Sequence, residues 1–146
     1  MSKIETLHMS KEDLLYLKET LQEEYDVIWN YNILEQEFYS ENTTYIVAKE
    51  GNKILGFAGM LTIIDESNIM NIAVKKTERK KGVGSLLLQK LIDLSKEKKL
   101  KLITLEVAEN NIPAINLYQK FNFEKVGLRK KYYNNSVSAI LMTLYI

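Results

Sequence analysis

Cysteine is absent from this 146-residue chain. That excludes disulfides, thiolate metal ligands and any covalent cysteine intermediate. Histidine is almost absent. The single residue, His8, falls in a stretch, 3–8, that reads as a first strand, where a surface or edge role fits it best. A multi-His metal site is thereby excluded, a Ser-His triad would rest on His8 alone, and no metal is expected. One proline and six glycines leave no Pro-rich tract and no linker. Long apolar runs are missing too. The uncharged stretch from Ile54 to Ile64 is far shorter than the roughly 20 residues a membrane span needs, and the start lacks the apolar run of a signal peptide. Charge of one sign is not in excess: 20 basic residues stand against 19 acidic ones, a formal charge of +1. These absences point to a cytoplasmic protein with no membrane partner and no direct nucleic-acid partner.

What is present is the profile of one folded domain over residues 1–146, with 46% hydrophobic and 27% charged residues. Ser10, with Asp13 three residues on, opens a helix over 10–22 that carries Leu14, Leu17 and Leu21 at helical spacing. A second helix is expected over 30–39. The period then changes. Residues 43–49 and 53–64 read as a hairpin around Gly51-Asn52, Asp65 to Asn68 as a turn, and 69–74 as a third strand. A helix over 82–96 follows, with Val83, Leu87, Leu91 and Leu94 on one face. Next come an apolar strand over 100–107, a helix opening at Pro113, and strands over 123–126 and 137–145 joined through Lys130 to Asn135. This order makes a mixed α/β sheet.

The stretch Arg79-Lys80-Lys81-Gly82-Val83-Gly84-Ser85 joins a strand to a helix. Its glycines allow close approach of a ligand, and the first helical N–H groups are unpaired and favour an anion. Lys75 and Lys76 add positive charge. A pyrophosphate cradle and a solvated basic turn both fit. The spacing matches neither the phosphate-binding loop of ATPases nor the dinucleotide fingerprint, since Leu87 stands where the latter needs a small residue.

Asn71-Ile72-Ala73-Val74, Arg79-x-x-Gly82-x-Gly84, Leu105-Glu106-Val107, Asn110-Asn111-x-x-Ala114-x-x-Leu117-Tyr118 and Phe123 occur in this order. In these motifs the chain resembles the GNAT-superfamily N-acetyltransferases, and within them the bacterial ribosomal-protein-alanine N-acetyltransferase (RimI) type, from about Ile69 to Tyr133. The resemblance implies a GNAT fold: a central, mostly antiparallel sheet with a parallel pair at the cofactor site, flanked by about four helices. It also implies acetyl-CoA as cosubstrate, held by the backbone of Ile72, Ala73 and Val74, by the turn Arg79, Lys80, Lys81, Gly82, Val83, Gly84 and Ser85, and by Asn111. The acceptor it implies is the N-terminal α-amine of a protein.

Acetyl transfer to an amine needs a base for the amine and an acid for the leaving thiolate. Glu106 ends an apolar strand, where burial would strengthen its hold on a proton, as a base working near neutral pH requires. A strand-end Glu in a salt bridge with a lysine is the plainer alternative. Tyr118 is either a core residue beside Leu117 and Phe121 or a phenol able to protonate a thiolate. The resemblance assigns Glu106 as base and Tyr118 as acid. Asn111 could equally cap the helix at Pro113. Tyr132 and Tyr133 fall where the family holds its acceptor, or form an exposed aromatic pair beside a turn. Glu35 and Glu37 could face a basic peptide. A small-molecule amine or a lysine side chain is the alternative acceptor. A non-catalytic acyl-CoA-binding module and a basic nucleic-acid-binding protein are the readings from other classes.

Overall fold

The computed structural model describes residues 3–26, 30–133 and 137–146, with the side chains of 131–133 outside the description. Trp29 and the turn Asn134-Asn135 therefore lie outside it. The elements are β1 (Ile4–His8), α1 (Lys11–Glu24), α2 (Tyr31–Tyr39), β2 (Thr43–Glu50), β3 (Lys53–Ile63), β4 (Glu66–Val74), α3 (Val83–Glu97), β5 (Leu102–Ala108), α4 (Ile112–Lys120), β6 (Glu124–Tyr133) and β7 (Val137–Tyr145). The strands form one seven-stranded sheet in the order β1-β2-β3-β4-β5-β7-β6. Every neighbouring pair is antiparallel except β4 and β5. The mixed α/β class with one parallel pair is the architecture the sequence led us to expect.

Local chemistry sets the helix starts. Ser10 Oγ accepts the Asp13 N–H at 3.1 Å, while the Asp13 carboxylate accepts the Ser10 N–H at 2.9 Å, a full capping box. The leucines expected on one face of α1, namely Leu14, Leu17 and Leu21, are all buried. They join Leu34 of α2 and Tyr45, Val47 and Phe57 of the sheet in one core. On the opposite face α3 buries Val83, Leu87, Leu88, Leu91 and Ile92 against Ile46, Leu55, Ile103 and Leu105. Each such side chain contributes about 1.5–3 kcal/mol relative to exposure.

Three boundaries differ from expectation. The β3–β4 turn is only Ile64 and Asp65, because Ser67 and Asn68, read as turn residues, find partners inside the sheet. Ser67 Oγ lies 3.1 Å from Ser95 Oγ of α3, and Asn68 Nδ2 donates to Thr104 Oγ1 at 2.8 Å. Strand β6 runs well past Val126, through Lys130 to Tyr133, because β7 pairs with it out to Tyr133 opposite Val137. Sequence polarity there suggested a connection, but an antiparallel partner satisfies the backbone regardless. Residues Lys76–Glu78 form a 3₁₀ turn that the sequence reading did not anticipate.

Candidate active site

The glycine turn delivers an open helix end. Gly82 takes the left-handed conformation, φ 84°, and starts α3 with no side chain capping it. By contrast α1, α2 and α4 are capped by Ser10, Asn30 and Asn111. The first N–H groups of α3 are thus left for a ligand. The positive charge around this end is less free than the sequence suggested. Asp26 binds Arg79 at 2.8 Å and Lys76 at 3.5 Å, Glu24 binds Lys75 at 2.6 Å, and Glu78 binds Lys53 at 3.1 Å and Lys81 at 3.4 Å. The Arg79 guanidinium holds the Asp26 carboxyl below its ordinary range, and Lys53, with Lys81, does the same for Glu78. Lys75, Lys76, Arg79 and Lys81 are thus held in ion pairs, and an anion arriving at Arg79 meets Asp26 already there.

Beside this end the sheet opens. β4 and β5 pair only over Glu66–Asn68 and Leu102–Thr104. β4 then runs on to Val74 and β5 to Ala108 without that pairing. The free edge of β4 offers N–H and C=O groups to an extended ligand. A cleft of about 860 Å³ lies here. Of the residues expected to hold the cofactor, Ile72, Ala73, Val74, Arg79, Lys80, Gly82, Val83, Gly84, Ser85 and Asn111 line it, and Lys81 does not. Tyr118 lines it too. Tyr118 packs as a core residue, 9% exposed with its ring 5.8 Å from that of Phe123, and it also lines the cleft. Asn111 caps α4, accepting the Ala114 N–H at 3.3 Å, and it too lines the cleft.

The comparisons with known proteins agree with this geometry. Residues 8–123 match the family model described as acetyltransferase (GNAT) family. The chain belongs to the GNAT acetyltransferases. It is 36% identical to the ribosomal protein bS18-alanine N-acetyltransferase of Haemophilus influenzae, over 92% of this chain and 93% of that one. The crystal structure of the ribosomal-protein-S18-alanine N-acetyltransferase from Escherichia coli superposes with a TM-score of 0.89 at 26% identity, covering 99% of this chain and 94% of that one. A GNAT acetyltransferase from Elizabethkingia anophelis with acetyl-CoA bound shares the fold, with a TM-score of 0.76 at 21% identity, covering 98% of each chain.

GNAT acetyltransferases use acetyl-CoA, and this chain's residues fit that molecule. The uncapped start of α3 suits a pyrophosphate, and the free β4 edge suits the amides of the pantetheine arm. Glu106 departs from expectation. It does not line the cleft with Tyr118, and its side chain is 29% exposed rather than buried. Its carboxylate is bound by Arg129 of β6 at 2.7 Å. Alternation along β5 explains this: Ile103, Leu105 and Val107 face α3 and α4, so Thr104 and Glu106 face the α1–α2 side. The alternative of a strand-end salt bridge was right in kind, with arginine in place of lysine. Tyr132 and Tyr133 lie in β6, with their side chains outside the description.

Sequence reasoning missed Asp26 and Arg129, whose partners are far away in the chain and leave no local pattern. It quoted Asn71 only as part of a motif. Asn71 lines the cleft and donates to the Tyr45 hydroxyl at 2.9 Å, which in turn donates to Glu37. Glu37, weighed only as a surface contact for a peptide, is therefore wired to the cleft.

Proposed function

We propose that this protein transfers the acetyl group of acetyl-CoA to the N-terminal α-amine of a protein, with a ribosomal protein beginning with alanine as the leading acceptor. The observation that carries the cofactor half is the uncapped α3 terminus opening onto the same cleft as Tyr118. The acceptor half is supported by the relatives, whose printed activity is alanine N-acetylation of ribosomal protein bS18. Such an acceptor also places the reaction in the cytoplasm.

Acetyl-CoA supplies an activated acetyl thioester. With no cysteine to carry the acetyl group, transfer is direct. The amine nitrogen bonds to the carbonyl carbon as the carbon–sulfur bond breaks. Glu106, directly or through water, takes the amine's proton, and the Tyr118 hydroxyl donates one to the departing thiolate. The Arg129 ion pair fixes the Glu106 carboxylate on the α1–α2 side, from which the acceptor approaches. In this reading Tyr132 and Tyr133 of β6 hold the acceptor, the role the family resemblance implies for them. An α-amine is a natural acceptor because its pKa, about 7.7–8.0, leaves a sizeable neutral fraction, whereas lysine at about 10.4 does not.

The test is a pH–rate profile on a peptide beginning with alanine and on an N-blocked lysine peptide, with products identified by mass spectrometry. The α-amine should be the preferred site. Glu106→Gln should slow the reaction, with partial recovery at high pH. Acetylation of the lysine peptide alone would replace the N-terminal reading with a side-chain or small-amine one. Wild-type rates in Glu106→Gln would place the base elsewhere.

A further inference from the structure

Among the described side chains, two buried polar atoms lack a hydrogen-bond partner, Thr62 Oγ1 and Asn71 Oδ1. Only Asn71 lines the cleft. A buried unpaired carbonyl costs free energy, so a retained one in a ligand site calls for a ligand donor. The rest of the Asn71 amide is committed. Tyr45, Gly59 and Asn71 stand opposite one another on three adjacent strands. The Tyr45 ring lies over Gly59, where an added Cβ would come within 2.2 Å of it. Its hydroxyl thus reaches across to Asn71. Tyr45 has one hydroxyl proton, and the Glu37 carboxylate can only accept, so that proton goes to Glu37. Tyr45 must then accept from Asn71, which leaves the Asn71 carbonyl as the free end. Burial, reinforced by Glu37, pushes the Tyr45 phenol far above its ordinary value, so the proton stays in place.

A β-bulge decides which side of the sheet this group occupies. Gly59 pairs with Asn71 and Met60 with Ile69, so Met70 is left over. One extra residue moves every later side chain to the other face. Ile69 faces α3, yet Asn71 and Ala73 face the α1–α2 side. Glu106 of the neighbouring strand faces that same side.

We propose that Asn71 Oδ1 accepts an N–H of the attacking amine and so orients its lone pair toward the thioester, with Tyr45 and Glu37 as positioning residues that hold the amide in register. The acceptor nitrogen would then sit between the Asn71 carbonyl and the Glu106 carboxylate. This rests on the acetyl-transfer reading and adds a substrate contact to it.

The test uses Asn71→Ala and Tyr45→Phe in the full chain, with acetyl-CoA affinity by calorimetry and steady-state kinetics in the acceptor peptide. Asn71→Ala should raise the peptide KM about three- to tenfold, the effect of removing a hydrogen bond between neutral groups. Its acetyl-CoA affinity should stay within about twofold of wild type. Tyr45→Phe keeps the ring over Gly59 and should fold even if Asn71→Ala does not. It should raise the peptide KM about three- to tenfold, because it frees the amide to turn. An unchanged peptide KM in either folded variant overturns the proposal. So does loss of acetyl-CoA affinity in Asn71→Ala, which would give the free carbonyl to the cosubstrate. If the wild-type protein acetylates a lysine or a small amine instead, the N-terminal reading fails alone. The same comparison on that amine still decides the role of Asn71.

Discussion

Gly84 and Gly82 share one turn, and the structure predicts opposite consequences for replacing them with alanine. Gly84 lies inside α3, and a Cβ there would sit 3.5 Å from Leu117 and 3.8 Å from Val74, ordinary packing distances. The fold accepts it. Alanine exceeds glycine in helix propensity by up to about 1 kcal/mol in a helix interior, and by roughly half of that in a first turn. Gly84→Ala should therefore raise the melting temperature by about 1–2 °C. The same methyl group occupies the cleft wall beside the open N–H groups. If it displaces a pyrophosphate oxygen from one charge-assisted hydrogen bond, acetyl-CoA affinity falls about ten- to a hundredfold. At Gly82 nothing lies within 4 Å of an added Cβ, but φ is 84°. Left-handed backbone costs an alanine about 1–2 kcal/mol, so Gly82→Ala should lower the melting temperature by about 3–6 °C and disturb binding less. Thermal melts and calorimetry with acetyl-CoA read both quantities. A stable Gly84→Ala protein with wild-type affinity would refute the assignment of the α3 terminus as the anion site. An unfolded one would refute the packing argument.

Tyr118→Phe removes a hydroxyl and keeps the ring against Phe123. Turnover should fall about 10²–10⁴-fold with acetyl-CoA affinity retained, as single-turnover kinetics would show. Asp26→Asn frees Arg79 and Lys76 from their exposed carboxylate, so calorimetry should show acetyl-CoA binding about two- to fivefold tighter at low salt. Asp13 is buried and lies 2.6 Å from Lys49. Burial pushes its carboxyl up, but the Lys49 ammonium and Ser10 together hold it below its ordinary value. Its proton is bound more weakly in the fold than in the unfolded chain. Its contribution is therefore full above the unfolded value of about 3.9 and fades as the pH falls through the folded one. The gap in melting temperature between wild type and Asp13→Asn should narrow steadily below about pH 4.

The features legible in the sequence are those written locally. The leucine spacing of α1 and α3, the Ser10 and Asn111 caps, Pro113 and the glycine turn all depend on residues within a few positions of one another. They placed most of the cleft. The features that stayed hidden depend on who stands opposite. Lys75, Lys76, Arg79 and Lys81 read as a basic patch because their counter-ions Glu24 and Asp26 come from the end of α1 and the residues after it, and Glu78 sits among them without announcing its orientation. Glu106 looked buried because its strand is apolar. Alternation puts it on the less covered face, where Arg129 from a strand two positions away in the sheet reaches it.

The bulge at Met70 shows most clearly why a site can be quoted from sequence without being understood. A strict two-residue alternation from Ser67 and Ile69, both on the α3 side, would carry Asn71 to that side as well, into the packing of Leu87 and Leu91. An amide there would lack partners. The extra residue turns Asn71 toward Tyr45 and Glu37, and it leaves Ile72 and Val74 to pack on the α3 side in its place. The insertion lies just past Asn68, the last residue of β4 that pairs with β5, and a bulge bends the strand that carries it. One unpaired residue thus sits where the sheet opens and sets the face on which Asn71 lies. No residue type announces a bulge. It becomes visible only when the register of β3 against β4 is known, and that register is a property of two strands, not of either alone.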